Sequence, residues 1–395
     1  MSEWKKVKLG EISSAIQTGP FGSQLHQSDY SEMGVPVVMP KDIVNGCIDE
    51  SAIARVENHH VERLARHKIS EGDILYARRG DVGKCAYARE PQKGWLCGTG
   101  CLRVTIDKEK AIPKFIFFQL QKRDTIGWVE KHAIGATMLN LNTSILSDVP
   151  IELPSLSIQH RIATILSRYD SLIENYQKQI KLLEEAAQRL YKEWFVDLHF
   201  PGHENTKIVD GVPEGWEKKR LVDMVDVQYG YAFDGKLFNS NGEGVPILRI
   251  RNIPDGITSD YTTEEAPKSY IVHNGDIVVG MDGIFHINSW SGGDAYLVQR
   301  ACSFRPKEEN MKGFIFQAIQ EPIKFFEKTL VGATVAHLGK KHIDSIELCV
   351  PNSMELFGPF SKQYEQRQKL LSQIRLLTEA RDRLLPKLMS GEIEI

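Results

Sequence analysis

A glycine-punctuated basic stretch, Ala77-Arg78-Arg79-Gly80-Asp81-Val82-Gly83-Lys84, follows a short apolar run at Ile74–Tyr76. Arginine and lysine suit guanine, asparagine and glutamine suit adenine, and exposed backbone amides suit phosphates. The basic loop is therefore our best candidate for reading bases, and the alternative is a solvated hairpin, because exposed arginines usually have no assigned task. The candidates in the first half of the chain are Gln17, Thr18, Ser23, Lys41, Arg78, Arg79, Lys84, Thr137, Asn140 and Asn142.

The second half of the chain has a comparable set. Arg249 and Arg251 alternate along or just after a predicted strand, so they point to one face if that strand is regular. That face meets either DNA or solvent. The candidates in this half are Tyr229, Lys236, Arg249, Arg251, Asn252, His286, Asn288, His337 and Lys340.

Motifs for catalysis and nucleotide binding are incomplete. The stretch from Gly230 to Lys236 resembles a phosphate-binding loop, but Leu237 stands where Ser or Thr would hold magnesium, which favours a plain turn or a DNA-contacting loop. No Pro-Pro dipeptide is present to build a pocket for a flipped adenine, and no spaced acidic pair followed by Glu-x-Lys indicates a nuclease. We expect a non-catalytic chain that binds neither cofactor nor metal.

The cysteines, the apolar runs and the net charge predict the cellular compartment of the protein and its affinity for DNA. Cys97-x-x-x-Cys101 with Cys85 and His67 would make an irregular zinc set, so core cysteines are favoured, and the scattered cysteines fit a reducing cytosol. The chain has neither a long apolar run nor an apolar signal core, which predicts a cytoplasmic protein without membrane contact. With 49 basic and 52 acidic residues the net charge is −3, so we expect modest DNA affinity without a partner.

The sequence repeats itself at a near-constant offset. Six segments recur in the same order, which predicts duplication of a unit made of one globular domain and one long helix. The pairs are Trp4–Leu9 with Trp216–Leu221, Gly34–Ile43 with Gly244–Ile253, Gly72–Ile74 with Gly275–Ile277, Gly135–Thr137 with Gly332–Thr334, the apolar runs into Pro154 and Pro351, and Ile180–Leu190 with Ile374–Leu384.

Each globular half is predicted to be α/β. Short apolar runs bounded by Gly, Asp and Pro predict strands, and two longer segments predict helices. The predicted strands are Val35–Met39, Ile74–Ala77, Ile247–Ile250 and Asp276–Val279, and the predicted helices are Pro113–Lys122 and Phe314–Phe326.

Two long amphipathic helices are predicted, over Ile158–Phe195 and Phe357–Leu388. Apolar residues recur mostly at steps of four and three, which indicates a narrow seam that another helix must bury. The first helix would be about 55 Å long at 1.5 Å per residue, too long for one compact domain. The predicted seam residues are Ile158, Ile162, Ile165, Tyr169, Leu172, Tyr176, Ile180, Leu183, Leu190, Leu370, Ile374, Leu377 and Leu384.

Burial of the two seams predicts the architecture. Antiparallel packing of the helices would form a coiled-coil stem with one globular domain at each end and a pseudo-two-fold internal repeat. Pro386 should end or bend the second helix at about Leu385, and Trp194-Phe195 should pack on the start of the second domain. The expected domain ranges are a first domain at 1–156, a helix at 157–197, a linker and second domain at 198–354, and a helix at 355–395.

This order of segments resembles the specificity subunit of type I restriction-modification systems. The resemblance covers essentially the whole chain, and it depends on the order and duplication of motifs that are individually weak. The matching motifs are Thr18-Gly-Pro-Phe-Gly-Ser23, Gly72-Asp-Ile-Leu75, Gly135-Ala-Thr137 with Leu141, Gln159-His-Arg-Ile-Ala163 and Arg383-Leu-Leu-Pro-Lys-Leu-Met-Ser-Gly391.

The resemblance implies two target recognition domains, each of which reads one part of a split, asymmetric sequence in double-stranded DNA, and helices that set the unread gap. Two modification methyltransferase subunits would bring S-adenosylmethionine and the adenine N6 methylation site, and restriction subunits, where present, would bring ATP and magnesium. Gly230-Tyr-Ala-Phe-Asp-Gly-Lys236 departs from the first domain's Pro-Phe-Gly-Ser loop, so the two domains should read different sequences. The competing hypothesis is a protein-binding scaffold with two heads and a helical spacer.

Overall fold

The computed structural model of the chain describes residues 4–135, 139–330 and 336–393. The chain divides into two compact units. Unit 1 comprises Met1–Ser171 with Thr378–Ile395, and unit 2 comprises Leu172–Leu377. None of the helices in the described ranges combines the length and the apolar character needed to cross a membrane.

Unit 1 is a mixed α/β unit in which most of the short strands precede the helices. Its strands are β1 Lys5–Lys8, β2 Ser13–Thr18, β3 Tyr30–Ser31, β4 Val35–Val38, β5 Ile43–Val44, β6 Cys47–Ile48, β7 Ala54–Val56, β8 Ile74–Ala77, β9 Cys85–Tyr87, β10 Leu96–Cys97, β11 Cys101–Ile106 and β12 Pro150–Leu153. Its helices are α1 Asn58–Arg63, α2 Pro113–Leu120, α3 Arg123–His132 and α4 Thr143–Ser147, followed by the long helix α5 Leu156–Tyr191, which continues into unit 2.

Unit 2 repeats this pattern. Its strands are β13 Ile208–Val209, β14 Val212–Pro213, β15 Trp216–Arg220, β16 Val225–Tyr229, β17 Phe238–Asn239, β18 Val245–Leu248, β19 Tyr261–Thr262, β20 Ile271–Val272, β21 Ile277–Gly280, β22 Ile287–Ser289, β23 Ala295–Leu297, β24 Ala301–Pro306 and β25 Glu347–Pro351. Its helices are α6 Leu221–Met224, α7 Lys312–Ala318, α8 Gln320–Thr329 and α9 Lys340–Asp344, followed by α10 Gly358–Met389, which ends in unit 1.

The two units share one sheet topology. The antiparallel sheet of unit 1 has the order β2-β11-β8-β9, and that of unit 2 has the order β16-β24-β21-β22. A second sheet contains the parallel pair β4 and β10 in unit 1 and the parallel pair β18 and β23 in unit 2. In each unit an early strand pairs with the last strand, β1 with β12 and β15 with β25. The predicted duplication and the mixed α/β class are confirmed.

Each core forms between the antiparallel sheet and the helices that follow it. In unit 1, Phe115 and Phe118 of α2 and Leu102 of β11 are almost fully buried with Leu388 and Met389 of α10. In unit 2, Phe304, Phe314 and Phe360 are buried together with Phe195, whose ring centre lies 5.2 Å from that of Trp216. The predicted packing of Trp194-Phe195 on the start of the second domain is confirmed.

The seam of α5 follows a strict heptad pattern. The buried residues Leu166, Ile173, Ile180 and Ala187 follow one another at steps of seven. They alternate with a second series at steps of seven, which was predicted in the seam: Ile162, Tyr169, Tyr176, Leu183 and Leu190. Leu172 was predicted in the seam, but it is 42% exposed, whereas Ile173 is 8% exposed. The prediction for Leu172 is wrong because steps of four and three from Tyr169 reach Ile173, and a shift of one residue rotates a side chain by about 100° around a helix.

Within each unit, the parts of the two long helices run antiparallel. In unit 1, Arg381 donates to Asp170 at 3.0 Å, while Ile162 and Leu388, which lie earlier in α5 and later in α10, share one core. In unit 2, Arg367 donates to Glu184 at 2.6 Å, and Tyr191 contacts Phe360. Both ion pairs join α5 to α10.

Three predicted boundaries differ from the structure. Helix α10 does not end at Leu385 but continues through Pro386 to Met389, one residue beyond the predicted range, and the predicted alternative of a bend at Leu385 stays a prediction. Burial of Leu388 and Met389 compensates for the hydrogen bond that proline cannot donate. The predicted helix Phe314–Phe326 is two helices that meet at Ile319. Strand β18 ends at Leu248 and not at Ile250, and a 3-10 turn at Ile250–Asn252 follows, so Arg249 and Arg251 lie just after the strand, which is the second of the two predicted placements.

Candidate nucleic-acid interface

At one end of the antiparallel sheet of unit 1, strands β2 and β8 end and strands β9 and β11 begin. Thr18 pairs with Leu102, Cys101 pairs with Ala77, and Tyr76 pairs with Cys85. The segments that connect these strands therefore emerge side by side, because paired residues of neighbouring strands lie about 5 Å apart. We call this end of the sheet, with its connecting segments, the loop end of unit 1.

Backbone hydrogen bonds fix the loop end of unit 1. Gly19 N donates to Cys101 O at 2.9 Å, and Arg78 N donates to Gly100 O at 2.8 Å. Leu141 N donates to Arg78 O at 2.8 Å, and Gly80 N donates to Leu139 O at 3.2 Å. These bonds connect four separate segments of the chain, so the side chains that they carry are held on one rigid frame.

The loop end of unit 2 has the same frame. Its four corresponding bonds run from Gly230 N to Ala301 O at 3.0 Å, Met281 N to Arg300 O at 2.8 Å, Leu338 N to Met281 O at 2.7 Å, and Gly283 N to Ala336 O at 2.9 Å. An isolated bridge joins Arg79 to Asn140 in unit 1 and Asp282 to His337 in unit 2. The equivalent positions are therefore Arg78 and Met281, Arg79 and Asp282, Gly100 and Arg300, and Asn140 and His337.

The side chains at the loop end of unit 1 offer unpaired hydrogen-bonding groups. Arg78 lies with its guanidinium 6.0 Å from the ring centre of Phe21, which is 52% exposed. Arg78 Nε and Asn140 Oδ1 are buried without a hydrogen-bond partner among the described residues. Because buried polar atoms almost always have partners, these two atoms suit a bound ligand that supplies them. Arg79 is exposed, and Lys84 pairs with Asp81 at 3.0 Å.

The other predicted residues of unit 1 are placed differently. Gln17 accepts from Arg103 at 2.8 Å, the carbonyl oxygen of Thr18 lies 3.0 Å from His67 Nδ1, and exposed Lys41 donates to Ala52 O at 3.2 Å. Asn142 caps α4 by accepting from Ile145 N at 2.8 Å, so its side-chain oxygen serves the fold. Ser23 is exposed, and Thr137 lies outside the described residues.

Asp282 is the centre of the loop end of unit 2. Its Oδ2 accepts from Arg300 Nη1 at 2.7 Å, and its Oδ1 lies 2.5 Å from His337 Nδ1. Sequence reasoning identified His337 but missed Asp282 and Arg300. Extending the alignment of the two halves beyond the Gly-Asp-Ile segments would have placed them opposite Arg79 and Gly100.

A second turn is also shared by the units. Asp42 Oδ2 accepts from Met39 N at 2.8 Å in unit 1, and Asn252 Oδ1 accepts from Arg249 N at 2.9 Å in unit 2. The Arg249 guanidinium lies 5.2 Å from the ring centre of Phe238. Asn252 therefore stabilises the turn that presents Arg249.

Arg251 does not stand alone after this turn. It makes a two-pronged ion pair with Asp260, at 3.0 Å from Nε and 2.5 Å from Nη2. Although burial opposes it, hydrogen bonding from Arg251 and Asn252 lowers the pKa of the Asp260 carboxyl. The ion pair indicates that Arg251 stabilises the fold, in addition to its predicted contact with DNA.

The remaining predicted residues of unit 2 differ in their surroundings. The carbonyl oxygen of His286 accepts from Gly280 N at 2.9 Å, as the carbonyl oxygen of Lys84 accepts from Ala77 N in unit 1. Asn288 donates to Ile253 O and Pro254 O and accepts from Arg367 at 2.8 Å, so its side chain serves the fold. Burial raises the pKa of Tyr229 to about 12, and Lys236 and Lys340 are exposed.

The cysteines lie where core residues are expected. Cys85, Cys97 and Cys101 are buried, and burial raises the pKa of the Cys85 and Cys97 thiols to about 12. His67 is buried beside Thr18. Within residues 4–135, 139–330 and 336–393, no group of three or more His, Cys, Asp or Glu side chains is arranged to hold a metal ion.

These features define a duplicated α/β protein in which one frame presents two different sets of side chains. The family described as Type I restriction modification DNA specificity domain matches residues 1–185 and 213–374. Because the two matches cover most of the chain, the protein belongs to this family.

Relatives match over the whole chain. The MjaIX type I restriction enzyme specificity subunit of Methanocaldococcus jannaschii is 27% identical over 422 residues, with 100% of this chain and 94% of the relative covered. The HindI specificity subunit of Haemophilus influenzae is 22% identical over 471 residues, with both chains fully covered at 100%. The crystal structure of a type I restriction-modification S subunit from M. genitalium has a TM-score of 0.56, 18% identity, and covers 98% of this chain and 96% of that chain, which is a likeness in fold.

Proposed function

We propose that the chain is the DNA specificity subunit of a type I restriction-modification complex, in which each unit reads one half of a bipartite, asymmetric target. The observation that carries the proposal is the shared loop end. One backbone frame occurs twice, and it carries Arg78, Arg79 and Asn140 in unit 1 but Met281, Asp282 and His337 in unit 2. Equal frames with unequal hydrogen-bonding groups suit two readers of different base sequences.

The proposal includes partners that supply the chemistry. Two modification subunits would bind the chain and bring S-adenosylmethionine and the adenine N6 methylation site, and restriction subunits would add ATP and magnesium where they are present. The chain itself would be non-catalytic, which its membership of a DNA-recognition family supports. Its net charge of −3 supports a need for partners, since the chain as a whole is not attracted to DNA over long distances.

The direct test is to express the chain with its modification subunits and map the methylated adenines in the host genome. We expect one split motif with two unlike halves and an unread gap of fixed length. Modification subunits expressed without the chain are the control and should leave the motif unmethylated. A complex that methylates without sequence preference, or two heads that capture proteins but no DNA, would support the scaffold hypothesis instead.

The long helices give a second test. Helix α5 has 36 residues and α10 has 32, and we propose that they set the unread gap. One added heptad in each helix adds about 10 Å at 1.5 Å per residue. We therefore expect the gap to grow by about three base pairs at ~3.4 Å each, with both half-targets unchanged. Altered half-targets would contradict this assignment of the helices.

A further inference from the structure

Asp282, Arg300 and His337 form a cluster in which the acidic side chain is the least exposed. This arrangement suits recognition. The side chain of Asp282 is 15% exposed, while those of Arg300 and His337 are 68% and 59% exposed. The carboxylate therefore lies beneath two outward-facing groups and holds both. Within the described residues, Asp282 is the one side chain that pairs with the Arg300 guanidinium, which leaves the Nε and Nη2 hydrogens without a partner there.

The backbone at Arg300 indicates that the arginine is needed for more than the turn. Arg300 has φ +71°, and its equivalent in unit 1, Gly100, has φ +90°. Glycine adopts this left-handed conformation without steric cost, whereas arginine does not. Since Gly100 completes the same frame in unit 1, the arginine side chain at this turn of unit 2 calls for a separate explanation, and recognition supplies one.

Charge distinguishes a base contact from a phosphate contact. The Asp282 carboxylate at 2.7 Å neutralises much of the Arg300 charge, and it would also repel a nearby phosphate. A base edge in the major groove is uncharged, so it needs oriented donors rather than net charge. Two parallel N–H groups from arginine match the O6 and N7 acceptors of guanine. In unit 1, Arg79 occupies the position that Asp282 has in unit 2. Arg79 has no carboxylate partner among the described residues, so its charge is not offset there.

Resting on the function proposed above, we propose that Arg300, oriented by Asp282, donates two hydrogen bonds to one guanine in the half-target of unit 2. Asp282 is a positioning residue in this arrangement. The contact determines the preference for one G·C pair and leaves the half-target of unit 1 unaffected.

The test uses the complete complex with its modification subunits and a DNA library randomised across the second half-target. Bound sequences are selected and counted for the wild type, Arg300→Gly, Arg300→Lys, Asp282→Asn and a control, Lys307→Ala. Lys307 lies just beyond the opposite end of β24. Arg300→Gly restores the residue type of unit 1, so thermal unfolding should match or exceed that of the wild type.

We expect Arg300→Gly to lower the preference for guanine at one position by about 5- to 150-fold, the range for one two-pronged arginine contact. Arg300→Lys should lower the same preference less than Arg300→Gly, because a lysine can still donate to guanine but lacks the planar fork of arginine. Asp282→Asn should reduce the preference less and raise affinity for all sequences. Lys307→Ala should select the wild-type motif.

A full guanine preference in Arg300→Gly would overturn the proposal, as would an equal loss of affinity for all sequences, which indicates a phosphate contact. If Arg300→Gly does not fold, an undiminished guanine preference in Arg300→Lys would overturn the proposal in its place. A wild-type complex that selects no bipartite motif would instead refute the proposed function, so the two failures are distinguishable.

Discussion

The loop ends of the two units differ in what their shared frame presents. Unit 1 has glycine at position 100 and a full positive charge at Arg79, whereas unit 2 has arginine at position 300 and a carboxylate at Asp282. The left-handed φ of Arg300 costs about 1–2 kcal/mol that Gly100 avoids. Duplication therefore preserved the backbone bonds and left the outward side chains free to diverge, even to opposite charge and at some cost in stability.

The units also differ in the contacts of the ion pair that joins their two long helices. In unit 2, buried Arg367 donates to Glu184, Asn288 and Ser289 and lies over Phe316. In unit 1, half-buried Arg381 donates to Asp170 and to its neighbour Asp382. Among the described residues, Arg367 bonds to β22 of the antiparallel sheet, whereas Arg381 bonds to helix residues alone, so the two units are anchored differently.

The largest effect is expected from breaking this anchor. Arg367→Ala should destabilise unit 2 by about 3 kcal/mol, because it leaves buried polar partners unsatisfied. Arg381→Ala should cost unit 1 about 1 kcal/mol, since Asp382 is exposed and Asp170 keeps its ion pair with Lys114. Hydrogen exchange measured peptide by peptide would report each unit separately. Equal destabilisation by the two variants would contradict the difference in anchoring.

Arg78→Ala with Arg79→Ala would sharpen the comparison at the loop ends. We expect the preference at the first half-target to weaken by about 1–3 kcal/mol for each base that these arginines read, with the second half-target unchanged. Methylome mapping of cells that carry the variant is the measurement. Lys108→Ala is the control, because Lys108 follows β11 at the opposite end of the sheet. An unaltered split motif would exclude both arginines as base readers.

Gly19→Ala and Gly230→Ala test whether the frames are equivalent. A Cβ at Gly19 would lie 1.9 Å from Gly98 O, and one at Gly230 would lie 2.1 Å from Val298 O. Each substitution should therefore force strands apart and cost its own unit about 1–3 kcal/mol. Thermal unfolding of both variants measures this effect. A large destabilisation of one unit and none of the other would show that the frames are not equivalent.

The smallest effect is expected at the cysteines. Burial raises the pKa of the Cys85 and Cys97 thiols to about 12, so at neutral pH both should stay unlabelled by iodoacetamide until unit 1 unfolds. Half-buried Cys349 in unit 2 should be labelled earlier. Mass spectrometry of the native protein distinguishes them, and rapid labelling of Cys97 would indicate a more open unit 1.

Much of the fold was predictable because it depends on local pattern. The strand Ile74–Ala77 and the start of α2 at Pro113 were predicted at the right residues, since Gly, Asp and Pro mark their boundaries. Leu172 was placed wrongly because leucine is as apolar as Ile173, and only the register of the seam separates them. Of the two effects predicted for Pro386, an end of α10 at Leu385 is excluded, because the effect of proline is local, whereas the burial of Met389 is not.

The site was less predictable than the fold. The candidates include Asn142, Asn252 and Asn288, whose side chains hold turns and caps, because the residue type alone does not distinguish reading a base from bonding to the backbone. The base-reading assignments of the other candidates stay predictions. Arg300 and Asp282 were missed because neither lies in a recognisable motif.

The sequence by itself determined the duplication, the α/β class, the two long helices and the family, because periodicity and repeated motifs are properties of the chain. Only the tertiary structure decided which side chains meet. Asp282, Arg300 and His337 are distant in sequence, and the backbone bonds between separate loops bring them together. Such contacts depend on loop geometry and strand register, which no local pattern of residues specifies.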